Sequence, residues 1–376
     1  MYTLPKVIKR LQTGEHWFEK SYSGFLFPII VQATGVARAE KVSEYAIPYG
    51  FCFQNHNKFE HWDWFWDEEM MVEKRKKILA QVKKDKNFTN NFYESWEKTY
   101  NDVINYWNKI YKTEFNKLSV DEIRKVITPL YEKVAAQAAY GYVVDTFLNN
   151  EEEDWLEAEI KKELGAKSTS EVIATLTAPV HETFVNNFEA EKFKIVKKPS
   201  KALAKKVADK YFWVRTNYHV YDPVTADDVY KEALESGANH EPPSASMNRK
   251  KKLALIKKFK ISENLKRILH ISETFTHLQD KRKEVVLRSN ILFFRALEAV
   301  EKKLKLEHKL VFYLLPEEFC NKKKFENLNW KEIKDRRDKG VIVVSCDGKC
   351  TATPEVNTRN CYPLRIFTDH SAELLK

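Results

Sequence analysis

The chain has 376 residues, 43% of them hydrophobic, so it is long enough to bury a core and to form two or three domains. Only nine residues are glycine, which argues against phosphate loops and parallel βα units and favours a helix-rich chain. The net charge of +10 would suit an acidic partner such as nucleic acid. Lysine and glutamate are interleaved along most of the chain, however, and this favours a solvated surface.

The cysteines and the apolar segments of the sequence indicate the cellular compartment of the protein. The five cysteines are odd in number and unevenly placed, unlike a secreted disulfide framework. The first residues show no signal pattern, and the most apolar run, residues 24–37, is too short to cross a membrane. We therefore predict a cytoplasmic protein with no membrane partner and no bound cofactor.

Aromatic side chains dominate the first 66 residues. Residues 25–31 are apolar, and their periodicity fits a buried strand or a helix start equally well. Farther along, Trp62, Trp64 and Trp66 occupy alternate positions. This spacing is typical of a strand that fills a core, or of the lining of a ligand cavity or protein interface.

Helical patterns follow as far as about residue 306. A capping box at Ser119–Glu122 predicts a helix start, Pro129 predicts a break or kink, and another break is expected near Ser262. Later, Asp347-Gly348 separates two short strand-like runs and predicts a tight hairpin turn. We predict a mainly α fold, a multi-helix domain with a small C-terminal β hairpin. It divides into 1–130, 131–310 and 311–376.

The sharpest candidate site is His270, Glu273 and His277, which share one helix face at positions i, i+3 and i+7. Such a trio suits acid–base catalysis or metal binding, although the spacing is not a known zinc signature. Arg282 and Lys283 follow, and an arginine there suits a phosphate or carboxylate. The alternative is a polar helix face with satisfied histidines.

A second candidate combines aromatic and polar residues between Tyr211 and His219. Within it, Arg215, Asn217 and Tyr218 suit the binding of a planar substrate, whereas core packing with Asn217 as a turn residue is the plainer interpretation. His181-Glu182 could face a cleft or cap a helix.

The cysteines near the hairpin and one lysine run are weaker candidates. Cys346, Cys350 and Cys361, with His370 behind them, lack the Cys-x2-Cys spacing of a zinc knuckle, so we predict unliganded thiols and no metal. Zinc binding and a disulfide across the tight turn are the alternatives. The run Arg249–Lys252 suits nucleic acid or, equally, a solvated helix start.

Several segments resemble, in the same order, the central region of the phosphoenolpyruvate-utilising phosphotransferases. This family includes phosphoenolpyruvate synthase, pyruvate phosphate dikinase and rifampicin phosphotransferase. The second of these segments resembles a helix start in the family, and the fourth resembles its Asp-x-Arg-Lys helix. The segments are Tyr140–Leu148, Leu176–Pro179, Tyr211–Tyr218, Gln279–Glu284, Leu314–Glu318 and Arg336–Gly348.

The resemblance implies a helical domain that holds a phosphoryl acceptor or joins catalytic domains. The family's chemistry also needs an ATP-grasp domain and a mobile phosphohistidine domain, and this sequence contains no Gly-rich phosphate loop. We therefore expect an acceptor-binding or scaffold module, not a complete phosphotransferase, that works with separate ATP-grasp and phosphohistidine proteins on a small-molecule acceptor. Two alternatives are a non-catalytic interaction protein and a basic helical protein that binds nucleic acid.

Overall fold

The computed structural model describes residues 17–55, 61–149, 155–236 and 245–354, together with Lys6 and Lys9. Helices dominate these ranges, which confirms the predicted mainly α class. None of the described helices is both long enough and apolar enough to cross a membrane.

The described residues form fourteen α-helices and five strands. The helices are α1 Leu26–Val42, α2 Glu68–Lys84, α3 Phe88–Ile110, α4 Val120–Leu148, α5 Trp155–Leu164, α6 Ser170–Thr177, α7 Phe184–Lys197, α8 Lys201–Tyr211, α9 Ala226–Ser236, α10 Ala245–Phe259, α11 Glu263–Leu304, α12 Pro316–Cys320, α13 Lys322–Glu326 and α14 Trp330–Lys339. The strands are β1 Trp17–Ser23, β2 Tyr49–Asn55, β3 His61–Asp67, β4 Val341–Cys346 and β5 Lys349–Pro354.

The predicted C-terminal hairpin is present as β4 and β5. Its turn residues Asp347 and Gly348 have φ angles of 48° and 75°, the left-handed conformation that a two-residue hairpin turn requires. The hairpin extends a larger sheet of order β1-β3-β2-β4-β5, in which every neighbouring pair is antiparallel. The Gly348 N–H also donates to the Ala37 carbonyl of α1 at 2.7 Å, so the turn is fixed to the helix that covers the sheet.

The aromatic N-terminal part contributes both to this sheet and to the helical core. Residues 25–31 form the start of α1, which settles the open choice between strand and helix. Trp62, Trp64 and Trp66 lie on β3 and are all buried, as expected of a strand that fills the core. One hydrophobic cluster draws residues from all three predicted segments of the chain, from Phe18 to Val343.

Helix α4 lies at the centre, with α1 and α11 packed along it. It begins at the predicted Ser119–Glu122 capping box and continues past Pro129 without ending, because packing on two sides offsets the one backbone hydrogen bond that proline removes. Gly35 of α1 allows the closest approach: a Cβ there would lie 2.5 Å from the Ala138 Cβ. The predicted break near Ser262 is also confirmed, since Ser262 is the N-cap of α11.

Candidate functional site

The first candidate site is a cavity of about 80 Å³ between α5, α6, α10 and α11. Apolar side chains such as Leu176 and Leu269 form part of its wall, and polar side chains from α10, α11 and the loop after α6 also line it. We call this space the His277 cavity. The polar side chains that line it are Thr177, His181, Glu182, Thr183, Lys252, Ser272, Glu273, Thr276, His277 and Asp280.

Pro179 shapes the mouth of this cavity. The Leu176–Pro179 segment, expected to begin a helix, instead ends α6 at Thr177, and Ala178 adopts an extended ψ of 137°. Proline disfavours helical geometry in the residue before it, so the chain leaves the helix here and reaches α7 only at Phe184. The resulting loop places His181 against α11. The neighbouring Glu182 accepts a hydrogen bond from the first N–H of α10 at 2.7 Å.

His181 and His277 stack inside the cavity. Their ring centroids are 4.4 Å apart with an interplanar angle of 27°. Burial, with smaller contributions from His181 and Lys281, lowers the pKa of His277 to about 4, and burial also lowers the pKa of His181. Both rings are therefore neutral near pH 7, so they stack without charge repulsion. Among the described residues, Nδ1 of His277 is buried without a hydrogen-bond partner.

Two further carboxylates, Glu273 and Asp280, and the amine of Lys252 also line the cavity. Glu273 forms an ion pair with Lys252, whose side chain is only 4% exposed. Burial lowers the pKa of Lys252, and Glu273 opposes that effect. Asp280 accepts a hydrogen bond from the Phe184 N–H at 3.0 Å, and burial raises its pKa. The lysine and glutamate balance each other, so Asp280 and the neutral histidines are among the groups available to a ligand.

The structure does not bring the whole predicted trio together. Glu273 and His277 line the cavity, but His270 is exposed on the same helix, and its Nε2 lies 3.2 Å from Oδ1 of Asn90 on α3. His277 lies seven positions after His270, about 10 Å along the helix axis, so residues on one face can have different neighbours.

Protonation of His277 should destabilise the fold. Its pKa is about 4 in the folded state and near 6.5 in the unfolded chain, so the unfolded chain binds the proton more readily between these values. Stability is therefore complete above about pH 6.5 and falls as the pH decreases toward 4. We expect urea unfolding of His277→Gln to be less sensitive to pH in this window than that of the wild type. His270→Gln is the control and should behave as wild type. An imidazole NMR titration of His277 with a midpoint near 6.5 would contradict this prediction.

Arg282 lies in a second enclosed space on another side of α11, where the helices meet the sheet. Its guanidinium makes a two-pronged ion pair with Asp145 of α4, with one N–O distance of 3.1 Å. Gln279 donates to the same carboxylate at 3.2 Å. Burial alone would raise the pKa of Asp145. The interaction with Arg282 has the larger, opposite effect, so the pKa of Asp145 is lowered overall. Gly141 makes room for the pair, since a Cβ there would meet Arg282 Cδ at 2.4 Å.

Aromatic residues surround this ion pair. We call the space the Arg282 chamber; its volume is about 30 Å³. The lining side chains are Tyr22, Ile29, Gln32, Trp64, Trp66, Tyr142, Asp145, Tyr218 and Arg282. Tyr218 and Arg282, both predicted to bind substrate, therefore do lie together.

The other predicted substrate-binding residues lie elsewhere. Lys283 is exposed and lines neither space. Arg215 forms ion pairs with Asp228 and Glu232 on α9. The Asn217 side chain accepts hydrogen bonds from the His219 and Val220 N–H groups, both at 2.7 Å, as a turn residue does. Neither space thus contains these three side chains.

A larger open groove, of about 590 Å³, lies near the start of α1. Its charged side chains are satisfied locally: Lys309 pairs with Glu298 at 2.9 Å, and Arg337 pairs with Asp338 at 2.7 Å. These paired side chains are therefore less available to bind a ligand in the groove.

The hairpin cysteines do not face one another. Cys350 pairs with Ser345 in the β4–β5 register and Cys346 with Lys349, so the two thiols point to opposite faces of the sheet. Cys361 and His370 lie outside the described residues. Within the described ranges, no group of three or more His, Cys, Asp or Glu side chains is arranged to hold a metal ion.

Comparisons with family models, curated proteins and solved structures find no match for this chain. The resemblance to the phosphotransferases therefore stays a prediction that rests on the quoted segments.

Sequence reasoning missed several residues that shape these two spaces. Lys252 belongs to a lysine-rich run that suggested a solvated surface, yet it is buried against Glu273. Asp145 carried no signal beyond its place in a resembling segment. A single acidic residue in an otherwise apolar helix stretch was the available clue, because a buried carboxylate requires a cationic partner.

Proposed function

We propose that this chain is the acceptor-binding module of a phosphotransfer system resembling the phosphoenolpyruvate-utilising phosphotransferases. Separate ATP-grasp and phosphohistidine proteins would supply the phosphoryl group. The observation that carries the proposal is the His277 cavity, which is lined by apolar side chains and by polar groups from α10, α11 and the loop after α6. A mainly apolar lining with a few polar groups is typical of a small-molecule site, and a volume of about 80 Å³ suits only a small ligand.

The polar groups favour a small hydroxyl compound as the acceptor. His277 is neutral near pH 7, Asp280 is an acceptor of hydrogen bonds, and Glu273 is already paired with Lys252. Because Nδ1 of His277 is enclosed, a ligand in the cavity would contact the other ring nitrogen, Nε2. A hydroxyl group that donates to Nε2 or to Asp280 suits this set, whereas an anion would meet the negative charge of Asp280.

The depressed pKa of His277 limits its chemical role. A general base works best when its pKa lies near the working pH. With a pKa of about 4, His277 suits binding and orientation of the acceptor hydroxyl better than removal of its proton. His270, the other candidate base, lies outside the cavity.

The alternative of nucleic-acid binding receives less support. Lys252 is buried and ion-paired, so it is not part of a basic surface. The remaining basic runs lie on different helices: α8 packs against α7 and α9, whereas α10 packs against α6.

The proposal predicts that the purified chain, by itself, does not become phosphorylated. We expect no label on the protein after incubation with radiolabelled ATP or phosphoenolpyruvate, because no Gly-rich phosphate loop occurs in the sequence. The measurement is intact-protein mass spectrometry under neutral handling, which preserves phosphohistidine. A stable phosphoryl group on any of the ten histidines would overturn the assignment of an acceptor-binding role.

A further inference from the structure

The outward face of α10 carries positive charge that the described part of the chain does not balance. Helix α10 contains no acidic residue, in contrast to the interleaved lysine and glutamate of most of the sequence. Of its basic residues, Lys252 turns inward and pairs with Glu273. The exposed ones, none of which forms an ion pair with another described residue, are Arg249, Lys250, Lys251, Lys257 and Lys258. Such a face attracts an anionic partner.

The apolar residues of α10 are divided between two faces. Those on the inner face pack against a hydrophobic cluster that includes the start of α11; they are Leu255, Ile256 and Phe259. Met247 and Leu253, by contrast, are each 57% exposed and lie among the lysines. These two side chains flank Lys250 and are about 120° apart around the helix, so they form no continuous apolar stripe.

This composition favours an acidic protein surface over a nucleic acid or a bilayer. Single-stranded nucleic acids stack on exposed aromatic rings, and the exposed face of α10 contains none. An amphipathic helix that enters a bilayer inserts a continuous apolar face, and here that face is already packed inside the protein. Charges of one sign with apolar side chains between them instead suit a protein surface of opposite charge.

The basic face borders the mouth of the His277 cavity. The side chain of Asn248 on α10 donates to the carbonyl of Pro179, which lines the cavity, at 3.0 Å. Burial lowers the pKa of His181, and the nearby positive charge of Arg249 contributes to this decrease. Arg249 therefore lies close to the cavity. A protein that docks on α10 would be held beside the cavity mouth.

We propose that the outward face of α10 is the docking surface for an acidic region of a partner protein. The lysines of this face pair with carboxylates of the partner, and apolar side chains of the partner cover Met247 and Leu253. The identity of the partner rests on the proposed function: it is the phosphohistidine protein, because its phosphoryl group must reach the cavity that α10 borders.

The first test measures binding of a fluorescent peptide, rich in glutamate and containing leucine, to the full chain by fluorescence anisotropy. The double variant Lys250→Glu with Lys257→Glu replaces attraction with repulsion at the centre of the face and should weaken binding about tenfold or more. Lys205→Glu with Lys206→Glu makes the same change of net charge at exposed positions on α8 and should bind as the wild type does. Equal weakening in the two double variants, or none in the α10 variant, would overturn the proposal.

Comparison probes distinguish an acidic protein from other anions. Leu253→Ser keeps every charge but removes an exposed apolar side chain, so it should weaken binding of the peptide severalfold. The probes are an oligodeoxynucleotide with the net charge of the peptide and vesicles of phosphatidylcholine with phosphatidylserine. If either binds more tightly than the peptide and loses that binding in the α10 double variant, the face belongs to nucleic acid or to a membrane, and the proposal is wrong.

Transfer of label to the small-molecule acceptor separates this inference from the proposed function. The chain is added over a range of concentrations to a cell extract from which it is absent. The α10 double variant should need about tenfold more chain for half-maximal transfer and should reach the wild-type maximum. An unchanged concentration dependence would refute docking of the phosphohistidine protein on α10. Absence of any transfer that depends on the chain would refute the acceptor role alone, because the peptide measurements decide the docking surface independently.

Discussion

Replacing Arg282 with methionine should lower the free energy of unfolding by about 3–5 kcal/mol, because the substitution leaves the Asp145 carboxylate buried without its cation. Asp145 is 7% exposed, and the hydrogen bond that remains to it among the described residues comes from the neutral Gln279. The measurement is urea unfolding at pH 7. The double variant Arg282→Met with Asp145→Leu removes both charges and should recover much of the lost stability. A double variant as unstable as the single one would show that packing, and not the unpaired charge, causes the effect.

The same ion pair should make stability depend on pH at the acidic end. Arg282 holds the pKa of Asp145 below the ordinary value of 3.8 despite burial, so the carboxylate is more acidic in the folded state. A group of this kind stabilises the fold above its unfolded pKa, and the contribution disappears as the pH falls through the folded value. We expect this part of the acid destabilisation to be absent from the double variant.

The second large effect concerns phosphoryl transfer. His277→Leu keeps a side chain of similar volume in the cavity but removes both ring nitrogens. If Nε2 accepts a hydrogen bond from the acceptor hydroxyl, partner-dependent transfer should fall about tenfold. His270→Leu changes an exposed histidine on the same helix and should leave transfer unchanged. Thermal unfolding of both variants controls for loss of the fold.

Local sequence signals predicted the elements that carry these groups. Ser262 marks the start of α11 because its hydroxyl accepts from the Leu265 N–H, at 3.2 Å, as an N-cap does. Asp347-Gly348 marks the hairpin because both residues tolerate positive φ. Alternation of Trp62, Trp64 and Trp66 indicates a strand because side chains on a strand alternate between its two faces.

These local signals could not predict which strands pair when the strands are distant in sequence. Strand β2 pairs with β4, for example Phe51 with Val344, across almost the whole chain, and nothing in either strand specifies that partner. The predicted site residues fall into two separate spaces for the same reason, because local patterns do not specify long-range contacts. Gln279 and Arg282 reach α4, whereas Glu273 and His277 face α10 and the loop after α6, so residues close in sequence on α11 belong to different spaces. Periodicity identifies a helix face but not the element that covers it.

The most direct test of the acceptor-binding role measures the transfer of label from radiolabelled ATP to small molecules. The reaction takes place in an extract of the cells that normally make this protein, prepared from a strain in which the protein has been deleted. We predict that adding the wild-type chain or His270→Leu produces a labelled small molecule, and that adding His277→Leu reduces its yield about tenfold. Labelling that does not depend on the added chain, or full restoration by His277→Leu, would contradict the account.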